Sequence, residues 1–213
     1  MGAAPGAEVG NLFFEPGDEW THGPTGIRVD LMYRTPAWAE EVLADTYRRH
    51  RARLGCSTCF WHNLRTCRLL ADPEGWLAGV RERAAAPYPD ALARAVIDLN
   101  WRMLQGRAAS WLAQLEAALG RGDAVSAGHR TGALLASWFD VLLAANRVPH
   151  PGEKRLLAHA ARLCPRRPEG MGRDVPALLA AAGRCDPAAG ALARRLVDGL
   201  APLVAERRSL KGR

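Results

Sequence analysis

From Trp76 to Arg207 the chain carries a single kind of local signal. Leu, Ala and Val recur three and four residues apart in one segment after another, and Pro or Gly stands at nearly every break. That spacing gives each segment one apolar stripe, the pattern of an amphipathic helix. The segments predict helices over 76–85, 89–104, 107–119, 124–145, 151–163, 174–182 and 188–207. The breaks fall at Pro87, Gly106, Gly120-Arg121-Gly122, Pro149-His150-Pro151, Pro165 to Gly172 and Gly183 to Pro187. A helical unit over 76–207 with a tail over 208–213 follows, and a mostly α chain with it.

The residues ahead of Trp76 read differently. In GIRVDLMYR, Ile27, Val29, Leu31 and Tyr33 alternate with Arg28, Asp30 and Met32. Period two with branched and aromatic residues on one side predicts a strand over 26–34. Thr35-Pro36 then opens a helix, with Thr as its cap and Pro at the first helical position, ending near Gly55. Cys59-Phe60-Trp61 and Leu69-Leu70 are read as pieces of short strands. The expected class is therefore α+β: a partial α/β domain over 1–75 followed by the helical one.

No stretch of eighteen apolar residues occurs, and the N-terminus lacks the basic and apolar regions of a signal peptide. A cytoplasmic protein with reduced thiols is expected. Its five cysteines are Cys56, Cys59, Cys67, Cys164 and Cys185. The net charge is +7, carried almost wholly by Arg, since Lys154 and Lys211 are the only lysines. An excess of Arg suits a polyanion partner, whether nucleotide or nucleic acid. The arginines are spread along the chain, however, and that weakens the nucleic-acid reading.

Three segments, taken in order, resemble a known family. They are GIRVDLMYR at 26–34, LLADPEGWL at 69–77 and LLAANRVPHPGEKRLL at 142–157. Together they are similar to the bacterial small nucleotidyltransferases of the polymerase-β superfamily, in which a catalytic α/β domain precedes a helical one. The resemblance implies transfer of a nucleoside monophosphate from a nucleoside triphosphate (NTP) to a hydroxyl of a small molecule or protein. It also implies Mg²⁺ as cofactor, because two such ions activate the acceptor oxygen and neutralise the leaving pyrophosphate. Asp30 matches the family's third metal-binding carboxylate. Asn146 would line the nucleotide cleft and Lys154 would meet phosphate near a helix N-terminus. Asp140, on an otherwise apolar helix, is either the general base for the acceptor hydroxyl or the partner of an Arg such as Arg130.

The family's Gly-Ser helix start and Asp-x-Asp pair have no counterpart in the chain. One carboxylate does not hold two Mg²⁺ ions, so the chain is expected to be a truncated form without transferase activity. A non-catalytic nucleotide- or RNA-binding role is one alternative. Another is a small zinc or redox module at Cys56-Ser-Thr-Cys59, with His62 and Cys67 supplying two further donors in the same segment.

Overall fold

The computed structural model describes residues 7–12 and 15–209. Compact packing divides the chain between Glu41 and Val42. The first unit is a three-stranded antiparallel meander of β1 (Glu8–Asn11), β2 (Gly17–His22) and β3 (Ile27–Met32), in the order β1-β2-β3. Trp20 stands opposite Val29 and Glu19 opposite Asp30. Gly17 is required where it stands, because a Cβ there would lie 2.2 Å from the Leu31 carbonyl oxygen. The strand expected at 26–34 is present as β3. Its branched residues Ile27 and Leu31 are 62% and 44% exposed, so alternation does not mark a buried face here.

Helix α1 (Pro36–Tyr47) runs across the division, capped as expected by the Thr35 hydroxyl, which accepts from the Trp38 N–H at 3.2 Å. It stops well short of Gly55. The second unit holds α2 (Cys59–Thr66), α3 (Trp76–Ala84), α4 (Asp90–Leu104), α5 (Trp111–Gly120), α6 (Ala124–Ala145), α7 (Leu156–Leu163), α8 (Met171–Ala182) and α9 (Ala188–Ser209). The tail expected at 208–213 lies mostly outside the described residues, since α9 continues to Ser209 and the description ends there.

Residues 56–72 hold the largest departure. Cys59-Phe60-Trp61 is the start of a helix, not a strand. Trp61 and Leu64, three residues apart, turn to the same side and are buried. The Trp61 indole donates to the Ala84 carbonyl at 2.8 Å, and its ring meets Tyr47 and Tyr88 edge to face. Tyr47 donates to the same carbonyl at 3.1 Å. Residues 42–75, placed by the sequence in the α/β piece, thus pack against α3 and α4 in the helical unit.

Helix α6 is the spine of that unit. Asp123 caps it by accepting from the Ser126 N–H at 3.0 Å. It packs against α4, α5, α7, α8 and α9, so apolar residues are needed nearly all round its second half. Leu134, Trp138, Val141, Leu142 and Leu143 are buried there, each contributing about 1.5–3 kcal/mol. The Trp138 indole finds its acceptor in the Leu196 carbonyl at 2.7 Å. Among the described residues no helix is long and apolar enough to cross a membrane.

Candidate metal centre

The one carboxylate in the buried stretch of α6, Asp140, is 2% exposed and points at the loop that leads into α2. It accepts from the Ser57 N–H at 3.1 and 3.2 Å and from the Ser57 hydroxyl at 2.6 Å. Asn100 of α4 holds the same loop one step earlier. Its side chain donates to the Arg53 carbonyl at 2.9 Å and accepts from the Gly55 N–H at 3.3 Å. Burial pushes the Asp140 carboxyl up to about 6, against the pull of Ser57.

This clamp forces an unusual backbone. Gly55 and Cys56 both take positive φ, +77° and +51°. Gly55 also approaches α6 so closely that a Cβ would lie 2.9 Å from the Ala136 Cβ. The outcome is a turn that presents Cys56 at the surface and makes Cys59 the first residue of α2.

The opposite wall comes from the end of α6. The Val148 N–H returns to the Leu143 carbonyl at 3.0 Å and the Arg147 N–H to the Ala144 carbonyl at 3.1 Å. Arg147 is left-handed at φ 58°. These two bonds form a Schellman motif, here with Arg where Gly is usual. Arg147 is held by Asp90, its Nε donating at 2.8 Å. The chain then enters Pro149-His150-Pro151, where His150 is buried. The His150 N–H donates to the Thr58 hydroxyl at 2.8 Å.

The two walls bring Cys56, Cys59 and His150 together, with one donor atom from each within 4.8 Å of the others. Cys59 Sγ lies 3.5 Å from His150 Nδ1, and Cys56 Sγ lies 4.0 Å from His150 Nε2. Zinc at bond lengths of about 2.3 Å to sulfur and 2.0 Å to nitrogen, in a tetrahedron, sets an S···N edge of about 3.5 Å. The Cys59–Nδ1 spacing equals that edge, whereas Cys56 faces the other ring nitrogen and would turn toward Nδ1 to share the same ion. His150 Nδ1 also accepts from the Gly152 N–H at 3.0 Å, so an ion held at this nitrogen would compete with that amide for the lone pair. Hydrogen bonds from Cys59 and His150 hold the Cys56 thiol down to about 4, while its own bond to Cys56 and burial push Cys59 up. The two thiols are thus coupled, with Cys56 the more acidic, and a bound ion would hold both as thiolates.

The residues singled out in the sequence fall in several places. Asp30 is exposed in the sheet unit, whereas Asp140, Asn146 and Lys154 belong to the helical one. Asp140 pairs with Ser57 and not with Arg130, whose guanidinium lies over the Trp111 ring. Asn146 is engaged at the end of α6. It donates to the carbonyls of Leu142 and Arg166, both at 2.8 Å, and accepts from the Arg166 N–H at 3.2 Å. Lys154 is exposed in the turn before α7, because that helix starts at Leu156 and not at residue 151. His62 and Cys67, the near-sequence donors, do not join the cluster. Cys67 Sγ instead donates to the Leu64 carbonyl at 3.4 Å.

His150 is the residue that sequence reasoning missed. The signal available was a His between two prolines, directly after a helix. Asp72, in the second of the three resembling segments, has a structural part, accepting from the N–H groups of Leu77 and Ala78 at 3.2 and 2.7 Å to cap α3. No protein-family model, curated protein or solved structure matches the chain.

Proposed function

We propose that the helical unit is a metal-binding module that holds zinc through Cys56, Cys59 and His150. One observation carries this reading: two thiols and an imidazole, brought from opposite ends of a long stretch of chain, offer one donor atom each within 4.8 Å of the others, with Cys59 and His150 at 3.5 Å. Thiolate with imidazole is the donor set that suits zinc, whereas Mg²⁺ takes oxygen ligands. Structural zinc sites take four protein ligands and catalytic ones three, with the fourth position held by water or substrate. Three donors converge here among the described residues, and Cys56 is exposed, which favours the second class.

The test is the metal content of protein purified without chelator, followed by Co²⁺ substitution. Zinc near one equivalent is expected, with thiolate-to-cobalt charge-transfer bands whose intensity corresponds to two sulfurs. Cys56→Ser and Cys59→Ser should each halve that intensity, and His150→Ala should lower zinc content. Wild-type protein that takes up neither ion at micromolar concentration refutes the reading. A dithiol redox centre is the second reading, favoured by an exposed Cys56 thiolate beside Cys59. A reversible Cys56–Cys59 disulfide in protein that binds no zinc would establish it.

A further inference from the structure

A small cavity is lined in part by the same loop, and Cys56 belongs to both the cluster and the cavity wall. Its volume is about 50 Å³. A water needs about 10–15 Å³ in this measure, so there is space for about four waters, or one ligand of four or five heavy atoms. The buried Trp61 is part of its apolar lining. The polar lining includes Ser57, Asp45, Arg51 and Arg53.

Charge selects the kind of ligand. Asp45 is the single carboxylate in that lining and is already shared among three arginines. Arg49 donates through Nε at 2.6 Å, whereas Arg53 and Arg51 stand at 3.4 and 3.6 Å. A charge-assisted N–H···O bond is about 2.7–2.9 Å long, so Asp45 does not saturate the forks of Arg51 and Arg53. A zinc ion with two thiolates is neutral, which leaves the cavity lining with one net positive charge. Planar guanidinium forks are suited to oxyanions.

We propose that the metal centre takes a small oxyanion of phosphate's size as its outside ligand. One oxygen completes the coordination beside Cys56, and the others accept from Arg51 and Arg53. This rests on the zinc reading above and names the ligand class of the same site. Both arginine side chains are 58% exposed, so the affinity is modest and falls as salt rises.

The experiment titrates inorganic phosphate, and acetate in parallel, into the Co²⁺-loaded full chain. The cobalt d–d bands and calorimetry are followed together. A saturable band shift at millimolar phosphate or below is expected. The double variant Arg51→Gln/Arg53→Gln should keep its thiolate charge-transfer bands yet bind phosphate at least tenfold more weakly. Stronger response to phosphate than to acetate assigns the ligand as phosphate; an equal response assigns it as any small oxyanion. A cobalt-loaded protein whose bands ignore both anions overturns the proposal and leaves the metal reading standing, as does an unchanged affinity in the double variant. A chain that takes up no cobalt fails the metal reading itself. Phosphate heat on that metal-free chain, lost in the double variant, would place an anion at Arg51 and Arg53 without a metal and overturns the proposal, as does absence of heat.

Discussion

Removing Asp140 separates the positioning of the metal ligands from the stability of the fold. Asp140→Ala deletes an acceptor used by the Ser57 N–H, the Ser57 hydroxyl and Asn100. Two of these donors have other acceptors. Asn100 already donates to the carbonyls of Arg53 and Val96, and the Ser57 hydroxyl lies 2.9 Å from the Arg53 carbonyl. The Ser57 N–H alone is orphaned, at a cost of about 1–3 kcal/mol. Against it stands relief of the buried charge. Burial holds Asp140 at about 6 against 3.8 for a free carboxyl, and keeping it ionised at neutral pH costs about 3 kcal/mol. The two effects nearly cancel, so the metal-free variant should unfold in urea within about 1–2 kcal/mol of wild type. Metal affinity should not be spared. The turn that aims Cys56 hangs on Ser57, and losing a partner that orients a ligand typically weakens binding about 10- to 100-fold. Asp140→Asn keeps one oxygen for the Ser57 N–H and should recover most of that loss. Competition for zinc against a chromophoric chelator reads the affinity. A folded Asp140→Ala protein with wild-type zinc affinity would refute the argument that this carboxylate positions the site.

Gly55→Ala combines a left-handed φ with a clash against Ala136 and should cost about 2–4 kcal/mol, read as a lower melting temperature and weaker zinc binding together. Trp61→Ala empties the ring cluster under α2 and should cost about 3–5 kcal/mol by equilibrium unfolding. Hydrogen bonds from Arg195 and Arg173 hold the buried Asp174 carboxyl well below the usual range. A depressed acid stabilises the fold above its unfolded pKa of about 4, and that stability is lost as pH falls toward the folded value. Melting temperature followed from pH 7 to pH 2 should therefore drop below about pH 4, and Asp174→Asn should flatten that limb. Hydrogen peroxide should oxidise Cys56 and Cys59 to a disulfide, two thiols and one peroxide giving one disulfide and two waters. The ion would leave with that step, and zinc release measured by a fluorescent indicator should match thiol loss.

Most of the helical architecture is legible because each long helix spans enough turns to show its stripe. The expected helices over 124–145 and 188–207 correspond to α6 and α9 with little change. Helix α2 has eight residues, too few for a 3.6-residue period to be told from an apolar strand, and tertiary contacts to Tyr47, Ala84 and Tyr88 decide it. The candidate site was half visible. CxxC spacing marks Cys56 and Cys59, but proximity in sequence pointed to His62 and Cys67 as their companions. The actual companion depends on how α6 ends, and the residue in the left-handed position of that Schellman motif is Arg147, not the Gly that would have signalled it. Asp140 stood out as a charge among apolar residues. Its partner was not readable, because Ser57 lies 83 residues away.

His150 follows Cys59 by 91 residues, and α2 to α6 lie between them. An ion shared by the two would close that whole stretch into a ring. In a chain-entropy treatment a cross-link over about 90 residues removes about 4.6 kcal/mol of disorder from the unfolded state. That is a sizeable part of the 5–15 kcal/mol by which most domains are stable. Zinc supply in the cell would then govern how long each copy survives proteolysis, since a chain starved of the ion opens more often along that ring.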